Sequence, residues 1–217
     1  MKTSFFKIIA LVAFVAFSSC NDKAKEAETK AAEEASEAEI GAEIFNAVVD
    51  KSSIEWKGFK PTGSHTGTIA IKEGAVSVNN GVIESGNFAI DMASISVTDI
   101  PIDDEGNAKL RGHLTSPDFF DIASFPMAKF EITGLQTTDG KTMLSGNLTM
   151  KDVTNNISIP VKTSIEGDEM ILRSETFTID RSKWNVKYGS KSFFDNLGDS
   201  FINDDIELTV NLVAKKA

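Results

Sequence analysis

The sequence predicts an all-β protein built as an antiparallel barrel of about eight strands, and three observations carry that reading. Apolar and polar residues alternate with period two in eight separate short stretches. The segments between most of them are short and rich in Gly, Asn and Asp, which join antiparallel neighbours; parallel strands need crossovers of a dozen residues or more. Closing such a meander on itself removes the exposed edges that would otherwise template aggregation.

The chain opens with MKTSFFKIIALVAFVAFSS, residues 1–19, in which Lys2 and Lys7 precede an apolar run from Ile8 to Phe17. This reads as a secretory signal, because the run is too short for a permanent span of about 20 residues. Ser18 and Ser19 stand directly before Cys20, the chain's single cysteine. The arrangement resembles a bacterial lipobox, in which the thiol is acylated; an ordinary signal peptide with an incidental cysteine is the alternative. Acylation on Cys20 would anchor the domain in the bacterial cell envelope, outside the cytoplasm. After Cys20, residues 21–43 continue as NDKAKEAETKAAEEASEAEIGAE, with no apolar stripe wide enough to bury, so 20–43 reads as a lipidated cysteine followed by a solvated acidic tether.

From residue 44 to residue 217 the alternation begins. Ile54 and Trp56 share one face of "SSIEWKGF", Ile69 and Ile71 of "TGTIAIKEG", and Phe88, Ile90 and Met92 of "GNFAIDMAS". Phe130 and Ile132 follow in "AKFEITG", then Leu144, Leu148 and Met150 in "MLSGNLTMK" and Ile157, Ile159 and Val161 in "NISIPVK". Phe177 and Ile179 in "ETFTID" and Ile206, Leu208, Val210 and Leu212 in "DIELTVNLV" complete the set. Two stretches interrupt the meander, 93–126 and 181–200, and each holds a Phe-Phe-Asp triplet, at 119–121 and 193–195. Long ordered connections of this kind are functional or capping, so both are expected to fold over the barrel mouth. In "LRGHLTSPDFFDIASFP" (110–126), Pro117 fixes a turn, Ser116 or Asp118 caps a short helical turn, and Phe119 and Phe120 form a lid.

Composition removes several functions. The whole chain carries a net charge of −10, and loss of Lys2 and Lys7 with the signal leaves 20 basic against 32 acidic residues, a net of −12. Nucleic acid is therefore excluded as a partner, since phosphate binding needs clustered Lys and Arg. Membrane attachment then falls to the acyl chains on Cys20. The only histidines are His65 and His113, so no His/Cys zinc spacing exists, and neither a Gly-x-Ser-x-Gly elbow nor a phosphate loop is present. Asp103, Asp104 and Glu105 lack the alternate spacing of a calcium loop. No metal site, no catalytic constellation and no cofactor emerge. His113 with Arg111, and separately His65, are candidates to meet a polar head group at the barrel mouth; the alternatives are that His113 caps a helical turn and that His65 serves turn geometry.

The stretches "HLTSPDFFDIASFP", "AKFEITGL", "SGNLTMKDVTNNISIPV", "FTIDRSKWNVKYGS" and "LGDSFINDDIELTVNL" resemble the YceI-like proteins, with "KPTGSHTGTIAI" matching a first hairpin. The resemblance covers about Ala47 to Leu212. It implies an extended eight-stranded, lipocalin-like barrel with short helical lid segments and a non-enzymatic role: binding, storage or transport of a polyisoprenoid, isoprenoid quinone or fatty amide. An eight-stranded barrel is just wide enough to hold one small ligand or to fill itself with side chains, so a dry interaction module stays open beside the carrier. An enzyme acting on such a lipid through His113 with Asp118 or Asp121 is the more distant alternative. Inward positions assigned to lipid contact are Trp56, Phe88, Ile90, Met92, Phe119, Phe120, Phe130, Leu148, Met150, Ile159, Phe177 and Leu208. Oligomeric state is not fixed by any motif, and a homodimer is compatible with the sequence.

Overall fold

A computed structural model describes residues 24–217; the signal 1–19 and the lipidation candidate Cys20 lie outside the described residues. Twelve strands form one sheet. They are β1 (Lys25–Glu26), β2 (Glu28–Ala31), β3 (Glu43–Ala47), β4 (Ser53–Lys60), β5 (Gly63–Asn79) and β6 (Val82–Val97), then β7 (Met127–Thr138), β8 (Lys141–Met150), β9 (Val153–Glu166), β10 (Glu169–Ser174), β11 (Phe177–Asp180) and β12 (Asp205–Lys216). A single α-helix among the described residues, α1 (Glu105–Thr115), lies between β6 and β7.

Consecutive strands from β4 to β10 pair with their sequence neighbours, β10 pairs with β12, and β12 returns to β4. The result is the expected closed antiparallel ring of eight. Local chemistry sets the corners. Asn80-Gly81 and Asp139-Gly140 both hold positive φ in the β5–β6 and β7–β8 connections, the pairing that matches hairpin twist. Two wall positions are shared by broken strands: β11 pairs with β12 below β10's stretch, and β3 pairs with the end of β12 beyond β4. The core is buried inside the ring, with Phe45, Ile95, Ile132, Met170 and Trp184 almost wholly inaccessible.

The acidic segment departs from the expected tether. β1 runs parallel to β11, with Lys25 opposite Phe177, and β2 runs antiparallel to β9, with Glu28 opposite Ser158. Beyond β2, the Glu33 N–H donates to Asn147 Oδ1 (3.0 Å), Asn147 Nδ2 donates back to the Glu33 carbonyl (2.7 Å), and the Ser36 N–H donates to the Ile132 carbonyl (2.9 Å). The physical reason is that backbone pairing to an open strand edge needs no apolar stripe; among the described residues of the segment, Ala27, 4% exposed, is the one side chain that joins the core.

α1 begins before the expected turn. Asp104 is its N-cap, its carboxylate accepting from the Gly106 N–H at 2.6 Å, so the acidic "DDEGN" run starts a helix. Ser116 stands at the other end, its hydroxyl donating to the His113 carbonyl (2.8 Å). The chain then turns so that Phe119 and Phe120 are buried against the barrel end. The second connection behaves differently: it buries Arg181, Trp184 and Val186 but leaves Phe193 and Phe194 about half exposed, so its triplet does not cover the mouth.

Candidate functional site

Inside the ring lies a cavity of about 180 Å³, well above the roughly 10–15 Å³ that one water requires. Strand alternation builds its wall. Ile54 and Trp56 on β4, Ile69 and Ile71 on β5, Phe88, Ile90 and Met92 on β6, and Ala128 and Phe130 on β7 all line it. Leu148 and Met150 on β8, Ile157 and Ile159 on β9, Phe177 and Ile179 on β11, and Leu208 on β12 continue the wall. All twelve positions assigned to lipid contact face this space, including Phe119 and Phe120 at its end.

Polar side chains gather where β4 turns into β5 (Lys60, His65), where β11 leads into the loop to β12 (Arg181, Asn203) and on α1 (His113). The cavity is thus apolar along its length with a polar rim. Leu110, His113 and Leu114 stand at i, i+3 and i+4 on α1, and all three line the cavity. Arg111 is exposed and does not line it. Of the three head-group candidates, His65 and His113 therefore line the cavity and Arg111 does not, because helical periodicity turns it outward while its neighbours turn in.

His113 Nε2 is buried and makes no hydrogen bond, and its ring packs against Phe119 (5.5 Å) and edge-on to Tyr188 (4.7 Å). Burial pulls its imidazole below the ordinary value; Asp118 opposes this, and the positive charges of Lys60 and Arg181 add to it. His65 is fixed otherwise: its Nδ1 lies 2.8 Å from Asp99 Oδ2, and the other Asp99 oxygen accepts from the Thr66 N–H at 2.8 Å. Burial pulls the Asp99 carboxyl upward, but the hydrogen bonds from Thr66 and His65 outweigh it and leave the group below its ordinary value.

Arg181 was not singled out by sequence, where a cation after a strand reads as solvated surface. It is fully buried. Its Nε donates to the Asn203 carbonyl (3.0 Å), one terminal nitrogen to the Val186 carbonyl (2.6 Å) and the other to the Ile202 carbonyl (3.0 Å), with Asp204 at 3.3 Å. Burial lowers its guanidinium from the ordinary value, opposed by Asp204 and Asp180. The guanidinium also stacks over Phe119, 5.2 Å from the ring centre. Arg181 thus ties both barrel-end connections together, with its donors directed at the loop carbonyls. Among the described residues no cluster of three or more His, Cys, Asp or Glu side chains is arranged to hold a metal.

A model of the YceI-like domain matches residues 35–214. The chain belongs to the YceI-like domain family. A UPF0312 protein from Pseudomonas putida is 32% identical over 91 residues, 39% of this chain and 47% of that protein. Protein YceI from Salmonella arizonae is 28% identical over 83 residues, 38% of this chain and 43% of that protein. These matched segments span about half the length of those curated relatives. Among solved structures, BcnA of Burkholderia cenocepacia superposes with a TM-score of 0.59 at 22% identity, over 76% of this chain and 98% of that one. A polyisoprenoid binding domain from Saccharophagus degradans, implicated in plant cell wall breakdown, gives 0.61 at 14% identity, over 80% and 98%. Both are YceI-like barrels in fold.

Proposed function

We propose that this barrel binds one long apolar lipid within its cavity, as a carrier or reservoir of polyisoprenoid, isoprenoid-quinone or fatty-amide type. The observation that carries the reading is the cavity itself, walled by branched, aromatic and methionine side chains with polar groups confined to one rim. Met92 and Met150 suit a flexible tail because a thioether side chain adapts its shape. The described binding of a polyisoprenoid by the structurally similar Saccharophagus degradans domain supports the same class. The test is steric. Leu148→Trp or Ile159→Trp should abolish uptake of a fluorescent isoprenoid such as retinol, while overpacking costs about 1–3 kcal/mol and leaves a folded barrel. Undiminished uptake by both folded variants would place any binding outside the cavity.

Residence in the cell envelope, through acyl chains on Cys20, belongs to the same proposal. The Ser-Ser-Cys sequence after a short apolar run supports it. Cys20→Ser should then move the protein from the membrane pellet to the soluble fraction; a variant that still sediments with membranes after a high-salt wash would overturn the anchor.

A further inference from the structure

One part of the barrel wall is made in a way the rest is not. β9 and β10 pair from Glu166–Glu169 down to Val161–Ser174 and then separate. Pro160 explains the break: its carbonyl accepts the Glu175 N–H (3.0 Å), but it has no N–H to return, so the ladder ends there. Below that point β9 and β11 are not paired with each other. The backbone between them is the acidic segment 25–31, hydrogen-bonded to β11 over Lys25–Glu26 and to β9 over Glu28–Ala31, with the Ala27 N–H donating to the Thr178 carbonyl at 2.8 Å. Both flanking strands face the cavity, β9 through Ile157 and Ile159 and β11 through Phe177 and Ile179.

This inserted strand is held lightly. Its sequence, Lys-Glu-Ala-Glu-Thr-Lys-Ala, buries one side chain, that of Ala27. Its side-chain tie to the barrel is the exposed Glu26–Lys183 ion pair at 3.0 Å, of a kind that contributes little. Peeling it away exposes no large apolar side chain of its own, so its opening free energy falls well below that of the whole barrel.

We propose that the slot between β9 and β11 is a lateral port through which the ligand enters and leaves the cavity, with residues 25–31 as the removable strand that closes it. This rests on the carrier reading above. Chain length gives the port a direction: Lys25 lies five residues after Cys20, so an acyl anchor there holds the closing strand within about 18 Å of the bilayer surface. The port is thereby kept beside the phase in which an apolar ligand is dissolved.

A removable lock tests it. Glu28 and Ser158 are register partners that neither line the cavity nor belong to its rim, and antiparallel partners lie about 4.5–5.5 Å apart, within disulfide reach. In the full chain carrying Cys20→Ser, Glu28→Cys with Ser158→Cys should slow retinol uptake and release about tenfold or more when oxidised, with affinity unchanged, and regain parental rates on reduction. Ala27→Asp, which places a carboxylate at the strand's buried position, should speed both. Equal rates in the oxidised and reduced forms, with binding retained, would overturn the port alone. Failure of the parent chain to bind retinol would overturn the carrier reading and the port with it.

Discussion

Trp56 and His113 each keep a buried nitrogen without a hydrogen-bond partner in the wall of an otherwise apolar cavity. An unsatisfied buried polar atom costs about 1–3 kcal/mol, so these two positions hold polar capacity that the fold itself leaves unused. For Trp56 the ring is accommodated because Gly67 lies opposite it; a Cβ there would meet the Ser96 carbonyl at 1.7 Å and the indole at 2.6 Å. For His113 the consequence is a pH dependence. Its folded-state pKa lies below the ordinary value of 6.5, so the unfolded chain takes up its proton first as pH falls. The stability it supports is therefore complete above about pH 6.5 and declines as pH drops toward the folded value. His113→Gln should flatten that decline. Denaturant midpoints at about pH 7.5 and about pH 5 measure it, and an identical acid-side slope in parent and variant would show that another group is responsible.

The two Phe-Phe-Asp triplets show how element context decides what a sequence repeat means. The first follows α1, where Phe119 and Phe120 meet edge-on at 5.0 Å, Lys151 donates to the Phe119 carbonyl at 2.8 Å, and Arg181 stacks above. The second projects from the Arg181-pinned connection, with Phe193 about half exposed and Lys187 4.7 Å from its ring centre. Phe119→Ala should accordingly lower stability by about 3–5 kcal/mol, whereas Phe193→Ala should change it by about 0.5–1 kcal/mol. Equilibrium unfolding of the two variants checks this, and equal losses would mean that the triplets are equivalent after all. Nothing in the triplets themselves separates them; burial comes from the helix before one and the open loop around the other.

At the scale of the whole molecule, the inward face of the barrel was legible because period-two alternation fixes which residues share a face, and all ten strand positions read that way line the cavity, with the two lid phenylalanines, Phe119 and Phe120, at its end. Elements whose contacts are made by backbone were not. β1 and β2 pair through N–H and C=O groups and leave no apolar pattern, so the acidic stretch read as a tether. β10, with Met170 and Leu172 buried, was missed because a break at Glu175-Thr176 splits one wall position into two short strands, β10 and β11, that follow each other end to end along β12. The side on which Arg111 lies was not legible for a different reason: residues 105–115 are a helix, whose period of 3.6 turns Arg111 away from the cavity that Leu110, His113 and Leu114 face. The central claim is that this closed ring exists to hold a lipid. Native mass spectrometry of the gently purified chain, followed by organic extraction, tests it most directly. The account predicts a population heavier than the polypeptide by one long-chain apolar molecule, lost on denaturation and recovered in the extract. A bare polypeptide mass in every charge state, with an extract no different from buffer, would contradict it.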